Sequence, residues 1–482
     1  MASARRSFWG WGEEGAGLDA SERERLGLLV AARLGGVDLA PIEPPRLDEL
    51  QLPPPRLAPP AALAPFVSQE AYERAAHTYG KAFRDVARAL ARDFSVAPDA
   101  VAVPRSEAEL EAVLAWCETH RLAVVPYGGG SSVVGGVEAR VGPRWNGAVT
   151  VDLRRLAAVL EVDRTSRAAR FQAGIYGPAL EQALRGDDLT LRHFPQSFEY
   201  STLGGWIATR AAGHYATLHT HVDDFVESLR VLTPRGVVET RRVPSSGAGP
   251  APERLFIGSE GALGIVVDAW VRLQRRPRHR ASATVRFDDF LAAAEAVRLV
   301  VQAGLQPARC RAVDAEEALQ AGAGDGTAHL LLLGFESADH PVDAPMRRAL
   351  ALSRAAGGRH REDAGRPREA GEGDRDGEAG SWRSRFLRAP YLRDALATLG
   401  LVVETFETAV TWDRFPGLHG TVLEATRAAA ARVCGAAVVT CRLTHAYPDG
   451  VAPYYTVVAA GKPGSRLAQW DELKAAASEA IL

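Results

Sequence analysis

The chain has 482 residues, of which 46% are apolar and 24% charged, and its formal net charge is −2 at pH 7. This length exceeds what one hydrophobic core usually serves, so we expect two or three domains. The near-neutral charge gives no indication of nucleic acid as a partner. No uncharged apolar run reaches the length of about 18 residues that a membrane-spanning helix needs.

Residues 1–75 are predicted to form a helical and proline-rich N-terminal segment. The stretch SERERLGLLVAARL has helical spacing, and the run from Pro41 to Pro65 favours an extended chain. Further on, Ser106 and Glu109 form a capping-box pattern, which predicts a helix to about residue 120. A strand over 122–126 and a glycine-rich turn follow.

Between about 148 and 275 the pattern predicts strands with short helices, including a hairpin that turns at residues 234–236. Beyond Pro277 the composition shifts and a second domain is predicted. Within it, TAHLLLLGFE is typical of a buried strand. Residues 358–380 are rich in charge and glycine and have no apolar anchors, so we expect a mobile loop there.

The strongest local signal is PYGGGSSVVGG at residues 126–136. Its glycines let successive backbone amides point inward, and such a nest binds phosphate. The stretch lacks the GxGxxG spacing and no helical pattern opens after it, which argues against a Rossmann site. A glycine-rich surface turn is the alternative interpretation.

Three further loop-rich stretches follow: HFPQSFEYSTLGGWIATRAAG, VDDFVESLRVLTPRG and FIGSEGALGIV. In this order and spacing, the four stretches resemble the vanillyl-alcohol-oxidase flavoproteins. The resemblance implies an α+β fold, with a PCMH-type FAD-binding domain of two subdomains over 76–277 and an antiparallel-sheet cap domain over 278–482. It also implies non-covalent FAD. The implied cofactor-binding residues are Pro126, Tyr127, Gly128, Gly129, Gly130, Ser131, Ser132, Gln196, Ser197, Ser201, Thr202, Gly204, Gly205, Thr209, Gly213, Glu260, Gly261, Gly264 and Ile265.

Within that superfamily, three other stretches are similar to the alkyldihydroxyacetonephosphate synthases: SFWGWG, ETFETAVTWDR and TCRLTHAYPDGVAPYYTVV. The resemblance implies that the acyl group of acyl-dihydroxyacetone phosphate is exchanged for a fatty alcohol in ether lipid synthesis, with no net redox change at FAD. The implied partner is a phosphorylated, long-chain lipid. Peripheral membrane contact and a homodimer are both compatible with the sequence.

The same resemblance assigns roles in the cap domain and beside the flavin. Tyr454 would be the general acid or base, and Tyr455 would replace it if the register shifted by one residue. Arg393 would bind the substrate phosphate, for which a guanidinium fork is well suited. Arg311 and His193 would be further catalytic residues. The alternatives are a half-buried packing tyrosine, a solvated arginine-rich face and a structural loop histidine.

No metal site is predicted. The histidines at 214, 219 and 221 form a loose cluster without the carboxylate or cysteine spacing of a metal site. The four cysteines include no CxxC pair, which favours free thiols in a reducing cytosol and therefore a cytoplasmic protein, with membrane association left open.

Some positions depart from the resembled family. Gln196 stands where the family has an aspartate, and His219-Thr220 where it has a tyrosine–glycine pair. The sequence ends at WDELKAAASEAIL, before the family's run of consecutive histidines, so we expect a truncated chain. Two alternative functions stay open. An FAD-dependent oxidase or dehydrogenase of a 2-hydroxy acid such as lactate or glycolate would share the flavin loops, and a catalytically impaired flavin-binding remnant is favoured by the missing histidines.

Overall fold

The computed structural model describes residues 5–244, 246–361, 365, 367–369 and 378–482, and they form an α+β fold. The chain divides into two compact units. The first contains residues 5–17, Glu43–His214 and Thr220–Arg275. The second contains Leu18–Ile42, Tyr215–His219 and the described residues from Arg276 to Leu482.

The α-helices, in chain order, are α1 (Ala20–Arg33), α2 (Ala71–Ala76), α3 (Phe83–Leu90), α4 (Glu107–His120), α5 (Gly177–Leu184), α6 (Leu203–Thr209), α7 (Ala216–His219), α8 (Glu253–Phe256), α9 (Phe290–Gln302), α10 (Ala315–Gln320), α11 (Asp343–Ala355), α12 (Glu378–Thr398), α13 (Phe415–Cys434) and α14 (Arg466–Ile481).

The strands, in chain order, are β1 (Val67–Ser68), β2 (Ala100–Ala102), β3 (Leu122–Tyr127), β4 (Gly147–Asp152), β5 (Val159–Asp163), β6 (Ala168–Gln172), β7 (Leu189–Thr190), β8 (Val226–Thr233), β9 (Gly236–Glu239), β10 (Ile265–Arg272), β11 (Gln274–Arg275), β12 (His279–Phe287), β13 (Arg309–Val313), β14 (His329–Ser337), β15 (Pro367–Glu369), β16 (Val402–Glu407), β17 (Val410–Thr411), β18 (Ala437–Ala446) and β19 (Gly450–Ala459).

The first unit contains two main sheets. One runs in the order β1-β2-β4-β3, with β2 and β3 parallel to β4. The other is antiparallel and runs β5-β6-β10-β8-β9. Buried side chains from both sheets, among them Val149, Val151, Phe171 and Ala269, belong to one hydrophobic cluster. This cluster fixes the strand ends from which the candidate cofactor loops emerge.

Helix α4 and strand β3 form as the sequence predicts. The Ser106 hydroxyl accepts a hydrogen bond from the Glu109 amide, at 3.2 Å. The Glu109 carboxylate, however, accepts from the Arg105 amide at 2.7 Å, one residue earlier than a capping box requires. Arg121 ends the helix with a φ of +55°, and β3 begins immediately afterwards. The predicted hairpin at residues 234–236 also forms, between β8 and β9.

The second unit is built on an antiparallel sheet whose described strands run β15-β12-β14-β13-β18-β19-β16, with β17 also paired to β19. Helices α9, α11 and α13 contact its strands. Strand β19 pairs with β18 on one side and with β16 on the other. The positions opposite one another on these three strands therefore decide which side chains can meet.

Residues 5–75, the described part of the predicted N-terminal segment, divide between the two units. Helix α1 belongs to the second unit, where a Cβ atom at Gly27 would lie 3.6 Å from a methyl group of Leu399. The proline-rich run belongs mostly to the first unit, where Arg56 forms an ion pair with Asp99 at 2.6 Å. Packing against distant residues, which local composition does not reveal, explains the difference.

The predicted mobile loop at 358–380 lies partly outside the described residues, at 362–364, 366 and 370–377. The described residues of this range include regular secondary structure. Pro367–Glu369 pairs with β12, and α12 begins at Glu378. Arg359 forms an ion pair with Asp288 at 2.5 Å. In these described residues, backbone hydrogen bonds and an ion pair give a defined conformation to polar sequence that has no apolar anchors.

All four cysteines are buried and free. None of the described helices is long and apolar enough to cross a membrane. In the part of the chain that the structure describes, no group of three or more histidine, cysteine, aspartate and glutamate residues is placed to hold a metal ion.

Candidate functional site

The glycine loop that follows β3 lies against a second loop around Tyr200. A Cβ atom at Gly129 would lie 1.8 Å from the Tyr200 carbonyl oxygen, and one at Gly128 would lie 2.3 Å from Thr202 Oγ1. Both distances are far below van der Waals contact, so the approach requires glycine at both positions. The predicted glycine turn therefore brings two loops of the first unit together.

Hydroxyl groups organise the second loop. The Ser201 hydroxyl donates to the Ser197 carbonyl oxygen at 2.8 Å and accepts from Trp206 Nε1 at 2.6 Å. The Thr202 hydroxyl caps helix α6 by accepting from the Gly205 amide at 3.2 Å. Because these bonds are made within the loop, its backbone is fixed before any ligand arrives.

A third loop, which precedes β10, completes the site. The Glu260 amide donates to the Ala208 carbonyl oxygen at 2.8 Å, which ties this loop to α6. Gly261 has a φ of +83°, and a Cβ atom there would lie 2.8 Å from Pro126. A Cβ atom at Gly136 would lie 2.3 Å from a carboxylate oxygen of Glu260, so this carboxylate faces the glycine loop. Burial raises the pKa of Glu260.

The three loops surround a cavity of 330 Å³. Within the described residues, no lysine, arginine or histidine lines it. The predicted cofactor residues that line it are Pro126, Tyr127, Gly128, Gly129, Gly130, Ser131, Ser132, Ser197, Ser201, Thr202, Gly204, Gly205, Thr209, Glu260, Gly261, Gly264 and Ile265. Glycine backbone, hydroxyl groups and apolar walls suit a nucleotide with a large aromatic ring, so the residues present fit FAD.

A row of polar side chains crosses the sheet of the second unit. Glu407 on β16 is paired with Tyr454 on β19, and Tyr454 is paired with Arg442 on β18. Arg311, on the next strand β13, is 1% exposed. Paired positions project to the same face of a sheet, so Glu407, Tyr454 and Arg442 share one face.

Arg442 is held in place by an acidic partner. Its guanidinium lies 3.8 Å above the centre of the Tyr454 ring. The same group donates to Glu317 on α10 at 2.5 Å. The Thr440 hydroxyl donates to the other Glu317 oxygen, at 3.2 Å. Glu317 therefore fixes Arg442, and Arg442 in turn covers the phenol ring of Tyr454.

Tyr455 lies on the opposite face of the sheet. Its side chain is 0% exposed, stacks on Phe406 with ring centres 5.1 Å apart, and places its hydroxyl 3.2 Å from His419 Nδ1. Successive residues of a strand point to opposite faces, so only one of the two tyrosines can join the polar row. The structure gives that position to Tyr454.

The polar row concentrates positive charge. Burial lowers the pKa of Arg311 to about 9, and the charges of Arg442 and Arg309 act in the same direction. Glu407 is exposed to solvent on one side, and protein atoms on the other side desolvate its carboxylate; this desolvation raises its pKa, while the charges of Arg442 and Arg311 oppose the rise. Burial also raises the pKa of Tyr454, and the Arg442 guanidinium opposes it. An anionic ligand would relieve the repulsion between the arginines.

Comparisons with known proteins agree with both units. A family model for an FAD binding domain matches residues 98–241, and one for the C-terminal domain of FAD linked oxidases matches residues 276–481. The chain is 28% identical to an alkyldihydroxyacetonephosphate synthase of Dictyostelium discoideum over 83% of this chain and 67% of that protein. It is 27% identical to the one of Trypanosoma brucei brucei over 89% and 74%, respectively.

The chain is a homologue of the alkyldihydroxyacetonephosphate synthases among the FAD-linked flavoproteins. A solved structure of such a synthase has the same fold, with a TM-score of 0.82 at 24% identity over 99% of this chain and 92% of that one. A glycolate oxidase subunit of Bacillus subtilis is 30% identical, but over only 45% of this chain and 46% of that protein. The cofactor of this homologue is FAD, bound non-covalently.

Two residues predicted to bind the cofactor and one predicted to be catalytic lie away from the cavity lining. Gln196 and Gly213 are not among the lining residues. His193 is 1% exposed and packs against the rings of Trp206 and Phe225, with centres 5.2 and 5.7 Å away. Burial lowers the pKa of His193 to about 3, so the imidazole is neutral near pH 7. This position argues against a catalytic role for His193.

Arg393, predicted to bind phosphate, already has an anionic partner. Its guanidinium donates two hydrogen bonds to one carboxylate oxygen of Asp394, at 2.6 and 2.9 Å. A phosphate group would have to compete with this neighbouring carboxylate. Arg393 is therefore explained as a structural residue of α12. Arg442 is likewise paired, with Glu317, but the mutual repulsion of Arg311, Arg442 and Arg309 still favours an added anion in the polar row.

Sequence reasoning missed some residues of both sites. In the cofactor cavity the additional lining residues are Val133, Val134, Gly136, Val137, Leu153, Trp206, Ala208, Ala211, Ser259 and Val266. Val133 and Val134 are 62% and 71% exposed, and exposed apolar residues directly after a glycine nest could have indicated a ligand-facing surface. Arg442 and Glu407 were missed because only the strand register brings them beside Tyr454.

Proposed function

We propose that this chain exchanges the acyl group of acyl-dihydroxyacetone phosphate for a fatty alcohol, releasing a fatty acid and forming the alkyl ether. The observation that carries the proposal is the row of Arg311, Arg442 and Tyr454 on the cap sheet. The similarity to the synthases supports it, since that similarity extends over both units. The similarity to glycolate oxidase covers less than half of the chain.

The arginines of the row are proposed to bind the substrate phosphate. Arg311 is almost completely buried, and Arg442 is 8% exposed. A phosphate dianion between two guanidinium groups would form charge-assisted hydrogen bonds, which contribute about 1.5–3 kcal/mol each. Glu317 compensates the charge of Arg442 when no substrate is present, so the site tolerates its buried cations.

Tyr454 is proposed to transfer the proton at the carbon beside the substrate carbonyl. A phenol ordinarily loses its proton near pH 10, which is too high for an efficient base at neutral pH. The guanidinium of Arg442 above the ring stabilises the phenolate and so partly offsets the effect of burial. Bound FAD supplies the reactive ring that allows one oxygen substituent to replace the other without net redox change.

We also propose a cytoplasmic protein that makes peripheral contact with membrane lipid. The support is chemical: both proposed lipid substrates carry long apolar chains, which partition into bilayers with about 0.8 kcal/mol per buried CH₂ group.

The test uses the 482-residue chain loaded with FAD. Acyl-dihydroxyacetone phosphate and a radiolabelled fatty alcohol are supplied, and the alkyl product and released fatty acid are both measured. The proposal expects equal amounts of the two. Fatty acid without alkyl product would indicate hydrolysis only, and turnover of lactate or glycolate with an artificial electron acceptor would indicate the oxidase function instead.

A further inference from the structure

The N-terminal motif SFWGWG has no part in the sites described so far, yet its segment is tightly folded. In residues 5–14, Arg6 and Glu13 form an antiparallel bridge, and the Ser7 amide donates to the Gly12 carbonyl oxygen at 2.9 Å. The Tyr72 hydroxyl donates to the Arg6 carbonyl oxygen at 2.7 Å. The segment is thereby closed on itself and anchored on α2.

This segment contacts the loops of the FAD cradle. Arg6 Nη2 donates to the carbonyl oxygen of Gly129 at 3.4 Å, while its Nε donates to Gly12 at 3.2 Å. The Arg6 guanidinium also lies 4.3 Å from the centre of the Tyr200 ring. Trp11, which is 7% exposed, packs edge-on against the same ring at 5.8 Å. Arg6 therefore contacts both Gly129 and Tyr200, the two residues at which the loops approach each other most closely.

Arg6 also places a positive charge against the glycine loop, from outside the cavity lining. None of the described residues that line the cavity carries a positive charge, and Glu260 adds a negative one. The Arg6 guanidinium contacts carbonyl oxygens and an aromatic ring, and no carboxylate of the described residues pairs with it. The pyrophosphate of FAD carries two negative charges, so a cation held against the carbonyl oxygen of Gly129 would favour its binding in this loop.

We propose that residues 5–14 are part of the cofactor site, with Arg6 as a positioning residue. Arg6 clamps the glycine loop against Tyr200 and adds a positive charge behind the loop that would hold the pyrophosphate of FAD. The segment lies outside residues 98–241, which the FAD-binding family model matches. The inference concerns FAD binding alone, so it stands or falls independently of the synthase reaction.

The test compares Arg6→Gln with Arg140→Gln. Arg140 follows the glycine loop, and its pair is Glu138, at 3.1 Å, so both changes remove one positive charge from the same region. Apoprotein is titrated with FAD, and the dissociation constant is read from the quenching of flavin fluorescence at low and high salt. We expect Arg6→Gln to weaken FAD at least about tenfold at low salt, as the loss of a charge-assisted bond would. Arg140→Gln should bind as the unchanged protein does.

The salt dependence distinguishes the loss of the Arg6 charge from a change in the shape of the FAD-binding loops. The advantage of the unchanged protein over Arg6→Gln should shrink as salt rises, because screening weakens the electrostatic part. Equal FAD affinity of Arg6→Gln and Arg140→Gln would overturn the proposal. If Arg6→Gln does not fold, Arg6→Lys takes its place. Lysine keeps the charge but lacks the planar fork, so FAD binding weakened at least about threefold is expected, and unchanged affinity would overturn the clamp.

Discussion

Replacing Gly129 by alanine is expected to destroy the FAD cradle while leaving most of the first unit folded. The added Cβ atom would lie 1.8 Å from the Tyr200 carbonyl oxygen and 2.7 Å from Ser201 Cα. Carbon and oxygen atoms that are not bonded need more than about 3 Å, so the two loops must separate by over 1 Å. Overpacking of this kind typically costs about 1–3 kcal/mol. Backbone amides of the nest would leave their places, so we expect FAD to bind at least about a hundredfold more weakly.

The matched control is Gly142→Ala, for which no atom lies within 4 Å of the added Cβ. Both apoproteins are reconstituted with FAD, and affinity is measured by fluorescence quenching. Circular dichroism and the urea midpoint report whether each chain is folded. The reasoning is refuted if folded Gly129→Ala binds FAD as tightly as Gly142→Ala, because the close approach of the two loops would then be irrelevant to the cofactor.

Three further predictions concern the second unit. Tyr454→Phe should lower kcat for alkyl transfer by about 10²-fold or more, whereas Tyr455→Phe should mainly lower the urea midpoint. A larger loss of initial rate in Tyr455→Phe than in Tyr454→Phe would exchange the roles of the two tyrosines. Arg311→Leu should raise KM for the phosphorylated substrate at least about tenfold, whereas Arg393→Leu should raise this KM less than about threefold. The opposite order would indicate that Arg393 binds the phosphate. Burial raises the pKa of Asp314 to about 7, so the stability that its proton provides is complete below about pH 4 and is lost as pH rises through 7. Urea titrations give the unfolding free energy of the unchanged protein minus that of Asp314→Asn. This difference should fall by about 2–4 kcal/mol from pH 4 to pH 8. A difference that does not change with pH would contradict the burial of Asp314.

The FAD cradle could be predicted because its requirements are local. A positive φ or a close backbone approach demands glycine wherever it occurs, so the glycine stretches and their hydroxyl neighbours indicate the loops directly. His193 shows the limit of this reasoning. It lies beside a cofactor stretch in sequence, but Trp206 and Phe225 surround it in the fold. A neighbour in sequence does not reveal on which side of a loop its side chain is buried.

The polar row of the cap sheet could be predicted only in part. A resemblance to a family can point to Tyr454, since that position lies in a motif. The neighbours of Tyr454 depend on register: Glu407 and Arg442 are 47 and 12 residues away in sequence and meet it only through strand pairing. No local pattern distinguishes Arg442 from the other arginines of the second unit.

The two faces of strand β19 carry side chains with different surroundings, Tyr454 on one face and Tyr455 on the other. Pairing with β16 and β18 fixes its register on both sides, and a slip of one residue would exchange the two tyrosines between the faces. Such a slip would place the fully buried Tyr455 among charges and move Tyr454 beside Phe406 and His419. The stacking of Tyr455 on Phe406 and its hydrogen bond to His419 oppose that exchange. The packed face of the strand thus holds Tyr454 below the guanidinium of Arg442, and a change on one face should affect stability where a change on the other affects turnover.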